Sequence, residues 1–186
     1  MRRSLLLALP LLLTACDSGR DQPPRRAIIT AVQIDDAPLR AANGNEWDGA
    51  GGGGPEVYFR LLLAGDAPTS AGVLNPRDDA FVLNQITPGQ AWVDDVAGSD
   101  FPLVWSVEGG FEIRNIDDSQ LEDEYQIAVI DYDPTTEDDV MISTRRFRFS
   151  EQAPEVTDGR EDIIVLEGVG ADAARVRVRL RVVYES

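Results

Sequence analysis

Residues 174 to 185 read ARVRVRLRVVYE, and this stretch decides the fold. Val176, Val178, Leu180 and Val182 alternate with Arg175, Arg177, Arg179 and Arg181. Because successive side chains of an extended chain point to opposite faces, a period of two gives one apolar and one cationic face. The segment is therefore a half-buried β-strand. Moving outward, AIITAVQI, EVYFRLLLAG, FPLVWSV, FEIRNI, YQIAVID, VMISTRRFRFS and EDIIVLEG are similar short runs. They are rich in β-branched and aromatic residues and are bounded by Gly, Pro, Asn and Asp. AFVLNQI and QAWVDDV carry the same signal more faintly. No long stretch repeats at helical spacing, so helix is confined to a turn or two in the connections. The pattern predicts an all-β fold, an antiparallel β-sandwich of about eight strands.

The amino-terminal sixteen residues, MRRSLLLALPLLLTAC, do not belong to that pattern. Arg2 and Arg3 precede an apolar run, Leu5 to Leu13, and Leu13-Thr14-Ala15-Cys16 follows as a small-residue cleavage site. The run is too short to cross about 30 Å of hydrocarbon as a helix. This segment resembles a bacterial lipoprotein signal, with Leu13-Thr14-Ala15-Cys16 as its lipobox. The resemblance implies that residues 1–15 are removed, that Cys16 is acylated, and that the chain sits in the cell envelope, lipid-anchored on the extracytoplasmic side. Asp17 after the cysteine resembles an inner-membrane retention signal of enteric bacteria, which leaves inner against outer membrane open. Residues 16–26 are a polar, Pro-Pro-containing spacer, and 27–186 form one domain.

Composition removes whole classes of function. The chain has no histidine, and Cys16 is its only cysteine. No intramolecular disulfide can form, and Ser-His-Asp triads, Cys-His nucleophiles and zinc sites with nitrogen or sulfur ligands are excluded. The net charge is -16, and it becomes -18 once Arg2 and Arg3 are cleaved away. This acidity argues against nucleic acid, a polyanion, as a partner. All seventeen basic residues are arginine. Arg146 and Arg148, with the arginines of the 174–185 strand, are expected to pair across strands with Asp and Glu.

The acids are crowded. VIDYDPTTEDDVM holds five carboxylates within nine residues, Asp131 to Asp139. Asp131 and Asp133 leave the same face of a strand end, and Asp139 opens the next strand beyond a short loop. Repelling carboxylates that converge invite a cation, and calcium takes six to eight oxygens at about 2.3–2.6 Å. Crowding alone is common here, since DDSQLEDE, Asp117 to Glu124, has five carboxylates without that geometry. An EF-hand does not fit, for glycine is missing from the required position of the loop.

Upstream, NEWDGAGGGGPEVYFRLLL sets Asp48 before a glycine-rich loop and Glu56 at the entrance of a strand. Joined to Asp131, Asp133 and Asp139, this resembles a C2 domain, a β-sandwich that binds calcium between loops at one end and often docks on lipid. The resemblance implies that Asp48, Glu56, Asp131, Asp133 and Asp139 hold calcium, Asp138 being a substitute for Asp139 if the loop shifts by one residue. The sequence departs from that family at Glu56-Val57, at the glycine insertion and at Ile142-Ser143. Gly49 to Gly54 is expected to be a flexible loop, Trp47 to pack over the loop base, and Tyr184 and Trp105 to be core or rim residues. The function implied is that of a non-catalytic module, held to the membrane through Cys16, whose loops meet an envelope protein, a glycan or a lipid surface. Two rivals stay open: a metal-free interaction module acting through strand edges and the arginine rows, and a carboxylate hydrolase, for which two acids about 5–10 Å apart suffice.

Overall fold

The computed structural model describes residues 24, 26–47, 53–68, 70, 72–76, 81–83, 91–114, 120–133, 137–153, 159–170 and 176–185. The signal segment with Cys16, Asp48, and part of the second acidic run lie outside them. Eight strands follow in order: β1 (Arg26–Asp36), β2 (Val57–Leu63), β3 (Phe81–Leu83), β4 (Leu103–Arg114), β5 (Tyr125–Asp131), β6 (Asp139–Thr144), β7 (Arg160–Val169) and β8 (Arg177–Glu185). They form one antiparallel sheet in the order β2-β5-β6-β7-β8-β1-β4-β3. Strand β7 is the corner. Its residues 160–167 pair with β8, whereas Gly168 and Val169 pair with β6. The two halves of the sheet are thereby laid face to face, which is the expected sandwich.

The alternation read at the carboxyl end sets the layers. In β8, Val178, Leu180, Val182 and Tyr184 are buried, while Arg177 and Arg181 are exposed. Across the core, the Phe59 ring of β2 meets the Trp105 ring of β4 edge-on at 5.4 Å. Both residues are fully buried, and each such side chain contributes roughly 1.5–3 kcal/mol by leaving water. The contact identifies the inward face of β2 as Val57, Phe59 and Leu61. Strands β2 and β5 are buried on both faces, and Val73–Leu74 runs along the outer edge of β2, with Val73 N–H and Leu74 N–H donating to the Leu61 carbonyl.

Several expectations are corrected. FPLVWSV and FEIRNI are not two strands: both lie in β4, and Gly109-Gly110 between them is absorbed as a bulge. Ile29 faces Phe111 while Ala31 faces Ser106, so Thr30 stands opposite the extra residues. Both glycines take positive φ, 74° and 75°, a backbone conformation that glycine adopts without steric cost. VMISTRRFRFS does not stay extended either. β6 ends at Thr144, and the one-turn helix α1 (Phe149–Gln152) begins five residues on. Phe147 and Phe149 turn inward onto Tyr125, with ring centroids 6.1 and 5.1 Å from it. Arg146 and Arg148 turn outward to Glu124, and Arg148 also reaches Glu151 at 2.7 Å. QAWVDDV is not a strand; only Val93 bridges, to Val57. Arg179 pairs with Asp35 of β1 at 2.7 Å, as the strand pattern implied. Tyr184 and Trp105 are core residues, and Trp47 packs at its loop base with its indole N–H donating to the Pro38 carbonyl at 2.9 Å.

Candidate functional site

Strand direction brings the acidic loops to one end. β5 ends where β2 and β6 begin, since Val57 faces Asp131 and Asp131 faces Asp139, and the segment after β1 reaches the same end, since residues from Arg40 to Trp47 line a recess with Asp139. The connections 37–56 and 132–138 therefore leave from neighbouring strand ends. The 84–102 connection joins them, because Val93 and Val57 exchange two backbone hydrogen bonds of 2.9 Å and Val96 N–H donates to the Pro55 carbonyl. Three loops meet at this pole of the sandwich.

Glu56 and Asp131 are joined directly. The Glu56 N–H donates to Asp131 Oδ1 at 2.9 Å, and the Tyr132 N–H donates back to the Glu56 carbonyl at 2.8 Å. Asp131 is fully buried, and its position opposite Val57 puts it on the core-facing side of the sheet at the rim. Asp133, two residues on, is half-buried. Asp139 is exposed and lines a recess of about 690 Å³ whose other walls come from the first loop, chiefly Arg40, Asn45, Glu46 and Trp47. The chain immediately before Asp48 thus lies beside Asp139, while Asp48 itself is outside the described residues. Among the described residues no group of three or more carboxylates could hold a metal ion.

Asp138 has a different task from the one that a shifted loop would assign to it. Its Oδ2 accepts hydrogen bonds from the Tyr58 hydroxyl and the Arg60 guanidinium, each at 2.6 Å. The Arg60 side chain is 6% exposed and that of Asp138 12%. Arg60 also donates to the Pro68 carbonyl at 3.2 Å. One member of the acidic run is thus neutralised from inside the protein, by an arginine embedded in the apolar run VYFRLLL. An arginine at such a position is the sequence signal for a buried partner, since a charge taken from water without one is strongly disfavoured.

The 84–102 connection supplies acids that sequence reasoning missed. Trp92 stacks on Tyr132 with centroids 4.2 Å apart, and its indole N–H donates to Asp94 Oδ1 at 2.6 Å. Glu56, Trp92, Asp94, Asp95 and Tyr132 surround a second recess of about 400 Å³. The only sequence sign was an acidic pair after a tryptophan, in a segment that also reads as strand. The glycine-rich loop is corrected by the same connection. A Cβ on Gly54 would collide with the Val96 carbonyl oxygen, and one on Gly53 with Asp95 Oδ1. At these two positions glycine serves close backbone approach, not flexibility.

No protein-family model matches the chain, and no curated protein matches it. Among solved structures it is similar to C2 domain A of plant Extended Synaptotagmin 1, at 12% identity and a TM-score of 0.49, over 88% of this chain and 96% of that one. It is also similar to a C2 domain protein from Ramazzottius varieornatus, at 11% identity and a TM-score of 0.43, over 86% and 92% of the two chains.

Proposed function

We propose that this chain is a non-catalytic binding module, exported and anchored through an acylated Cys16, whose loop pole binds calcium. The observation that carries the reading is the alignment of Val57, Asp131 and Asp139 across three strand ends, latched by the paired bonds between Glu56 and the Asp131-Tyr132 segment. That latch brings carboxylates of two distant segments to one rim, and carboxylate and carbonyl oxygens are the donors that calcium takes. The ion's donors would be drawn from Glu56, Asp131, Asp133, Asp139 and Asp48 together with carbonyl oxygens, and its binding requires the described carboxylates to close up from positions in which they form no metal group. Asp138 is not among them, because Arg60 already holds that carboxylate. A bound ion supplies charge compensation and cross-links the loops.

An ion that binds only the folded state stabilises it by mass action, by about 2.7 kcal/mol when its concentration is 100 times Kd. The test is calorimetric calcium titration together with thermal melting in calcium and in chelator. Calcium uptake and a raised midpoint are expected, both lost when Asp131 and Asp133 become Asn. A midpoint indifferent to calcium and to chelator would leave the metal-free reading ahead.

A separate observation favours that second reading. Gly168 N–H donates to the Val176 carbonyl, and antiparallel parity then turns the backbone groups of Glu161, Ile163 and Val165 away from β8; of these the Ile163 N–H donates to Asp162 Oδ1 at 2.9 Å. On the outward face of the same strand Ile163, Val165 and Val169 are 47, 50 and 55% exposed. A strand edge of this kind is a surface on which a partner strand can pair.

A further inference from the structure

Strand β7 turns the corner of the sandwich, and there the ladder is interrupted. On one side its even-numbered residues bond to β8. On the other side β6 reaches only Gly168 and Val169. Two bonds set the limits of the open stretch: Arg145 N–H donates to the Glu167 carbonyl at 2.9 Å, and Gly159 N–H turns back to the Tyr184 carbonyl at 3.0 Å. Between them the backbone of Glu161, Ile163 and Val165 faces away from β8, and no strand among the described residues pairs with it. Asp162 Oδ1 takes the Ile163 N–H at 2.9 Å, a local side-chain substitute for a ladder bond.

Apolar side chains mark the same strand. Among the described residues four large apolar side chains are exposed, and three of them, Ile163, Val165 and Val169, lie in one row on β7, so the exposure is a property of this strand and not of the surface at large. An open edge beside an apolar row is what sheet proteins ordinarily blunt or cover.

Symmetry and charge identify the partner. Positions 161, 163 and 165 are symmetric about Ile163, so the same stretch of a second copy, run antiparallel, meets every outward donor with an acceptor. Glu161 then faces Val165 of the copy, and Ile163 faces Ile163. Neighbouring registers fail. Centring on Glu161 or Asp162 sets that acid against itself, and centring on Ile164 sets Glu161 against Glu167; like charges directly opposite are destabilising. Centring on Val165 brings Ile163 to Glu167, whose carbonyl Arg145 already holds. In the Ile163 register each acid of the stretch faces an apolar residue, Glu161 against Val165 and Asp162 against Ile164.

We infer that β7 is a homodimerisation edge, where two copies pair antiparallel about Ile163 and join their sheets. This develops the strand-edge reading above and needs neither an ion nor an anchor. The strip is short, which places the dimer among weak interfaces, below about 1,200 Å². The net charge of -16 on each copy opposes association, and salt relieves it by screening beyond about 8 Å at 0.15 M.

Disulfide trapping reads the register. Opposed residues of a hydrogen-bonded antiparallel pair stand about 5.5 Å apart at Cα, within the roughly 4.4–6.8 Å that a disulfide bridges. In the full chain carrying Cys16→Ser, Ile163→Cys is expected to yield a species of doubled mass under mild oxidation. Val165→Cys alone is expected to stay single, since its two copies are more than about 13 Å apart in this register, whereas a mixture of Glu161→Cys and Val165→Cys chains links. In sedimentation, without an introduced cysteine, the dimer grows with protein concentration and with salt, and Val165→Lys abolishes it. Absent linkage in both Ile163→Cys and the mixture overturns the inference, as does equal linkage in Val165→Cys alone or a dimer that salt dissolves. Hydrogen exchange on dilute protein tells the failures apart. Fast exchange at Val165 N–H without linkage leaves an open edge whose partner is a different protein, while slow exchange in dilute monomer sinks the open-edge reading itself.

Discussion

Replacing Asp138 with Asn tests how the acidic loop is held. The side chain keeps its shape and loses its charge, so the Arg60 guanidinium, 6% exposed, is left with the Pro68 carbonyl and a neutral amide. Removing one partner of a buried ion pair costs about 3–5 kcal/mol, because the remaining charge is buried without compensation. For a domain of this size 1 kcal/mol moves the midpoint by about 2–4 °C, so a fall on the order of 10 °C is expected. Urea unfolding in chelator is the cleaner assay: the midpoint concentration should drop while the slope m stays the same. The double variant Arg60→Met with Asp138→Asn removes both charges, and it should recover much of the loss. If Asp138 were instead a calcium ligand, the single variant would leave stability in chelator intact and weaken calcium uptake. A loss below about 0.5 kcal/mol in chelator, the level of an ordinary surface change, would refute the reasoning.

Gly54→Ala should destabilise by about 1–3 kcal/mol, because the new methyl meets the Val96 backbone, which cannot swing aside; Gly53→Ala meets a carboxylate side chain and should cost less in the same urea series. Thr144→Val should cost about 1–3 kcal/mol, since the buried Thr144 hydroxyl accepts from Ile127 N–H at 3.0 Å and donates to the Arg145 carbonyl at 3.1 Å; hydrogen exchange at Ile127 reports the lost acceptor. Burial, with Asp123 nearby, pushes the Tyr125 hydroxyl up to about 12, and burial with Asp162 raises Tyr184 as well. An acid whose folded pKa is raised is favoured in its protonated form by the native state. Its stabilisation is therefore complete below pH about 10 and is lost at about 1.4 kcal/mol per pH unit for each such group as pH rises toward the folded value. Tyrosinate absorbance and unfolding should therefore rise together above pH about 10, and Tyr125→Phe should shift the onset upward.

How much could be read beforehand follows from which forces are local. The alternation in 174–185 exposes its own faces, because period two is a property of the strand itself, and β8 lies where that period places it. The carboxyl end of β5 was legible for the same reason: Asp131 closes an apolar run, and Asp139 begins the next strand. What failed were segments whose conformation is set by contacts far away in sequence. Arg-Arg-Phe-Arg-Phe keeps its period of two, with Phe147 and Phe149 inward on Tyr125, yet β6 ends at Thr144 and α1 begins at Phe149. Gly-Gly at 109–110 carries a turn signal, yet β1 pairs with the residues on both sides of it and converts it into a bulge. Gly53 and Gly54 look like slack until Asp95 and Val96 are brought against them from a connection about forty residues away.

The same distinction answers why so many like charges tolerate one short loop. Counting them from sequence treats the carboxylates as equivalent, whereas the fold sends them in different directions. Asp131 points inward and accepts an N–H from Glu56, Asp138 crosses to the outer face of β2 and meets Arg60 and Tyr58, and Asp139 stays exposed by the first loop. The buried arginine removes the carboxylate that would otherwise sit closest in sequence to Asp139, and by tethering that residue it also limits where Asp139 can move. Repulsion in the loop is thus reduced by sorting the charges onto opposite faces of one sheet, a solution available because adjacent residues at a strand entrance necessarily point apart. Because Arg60 balances Asp138 from within, removing any ion at the pole should loosen the loops and leave the Arg60–Asp138 anchor in place.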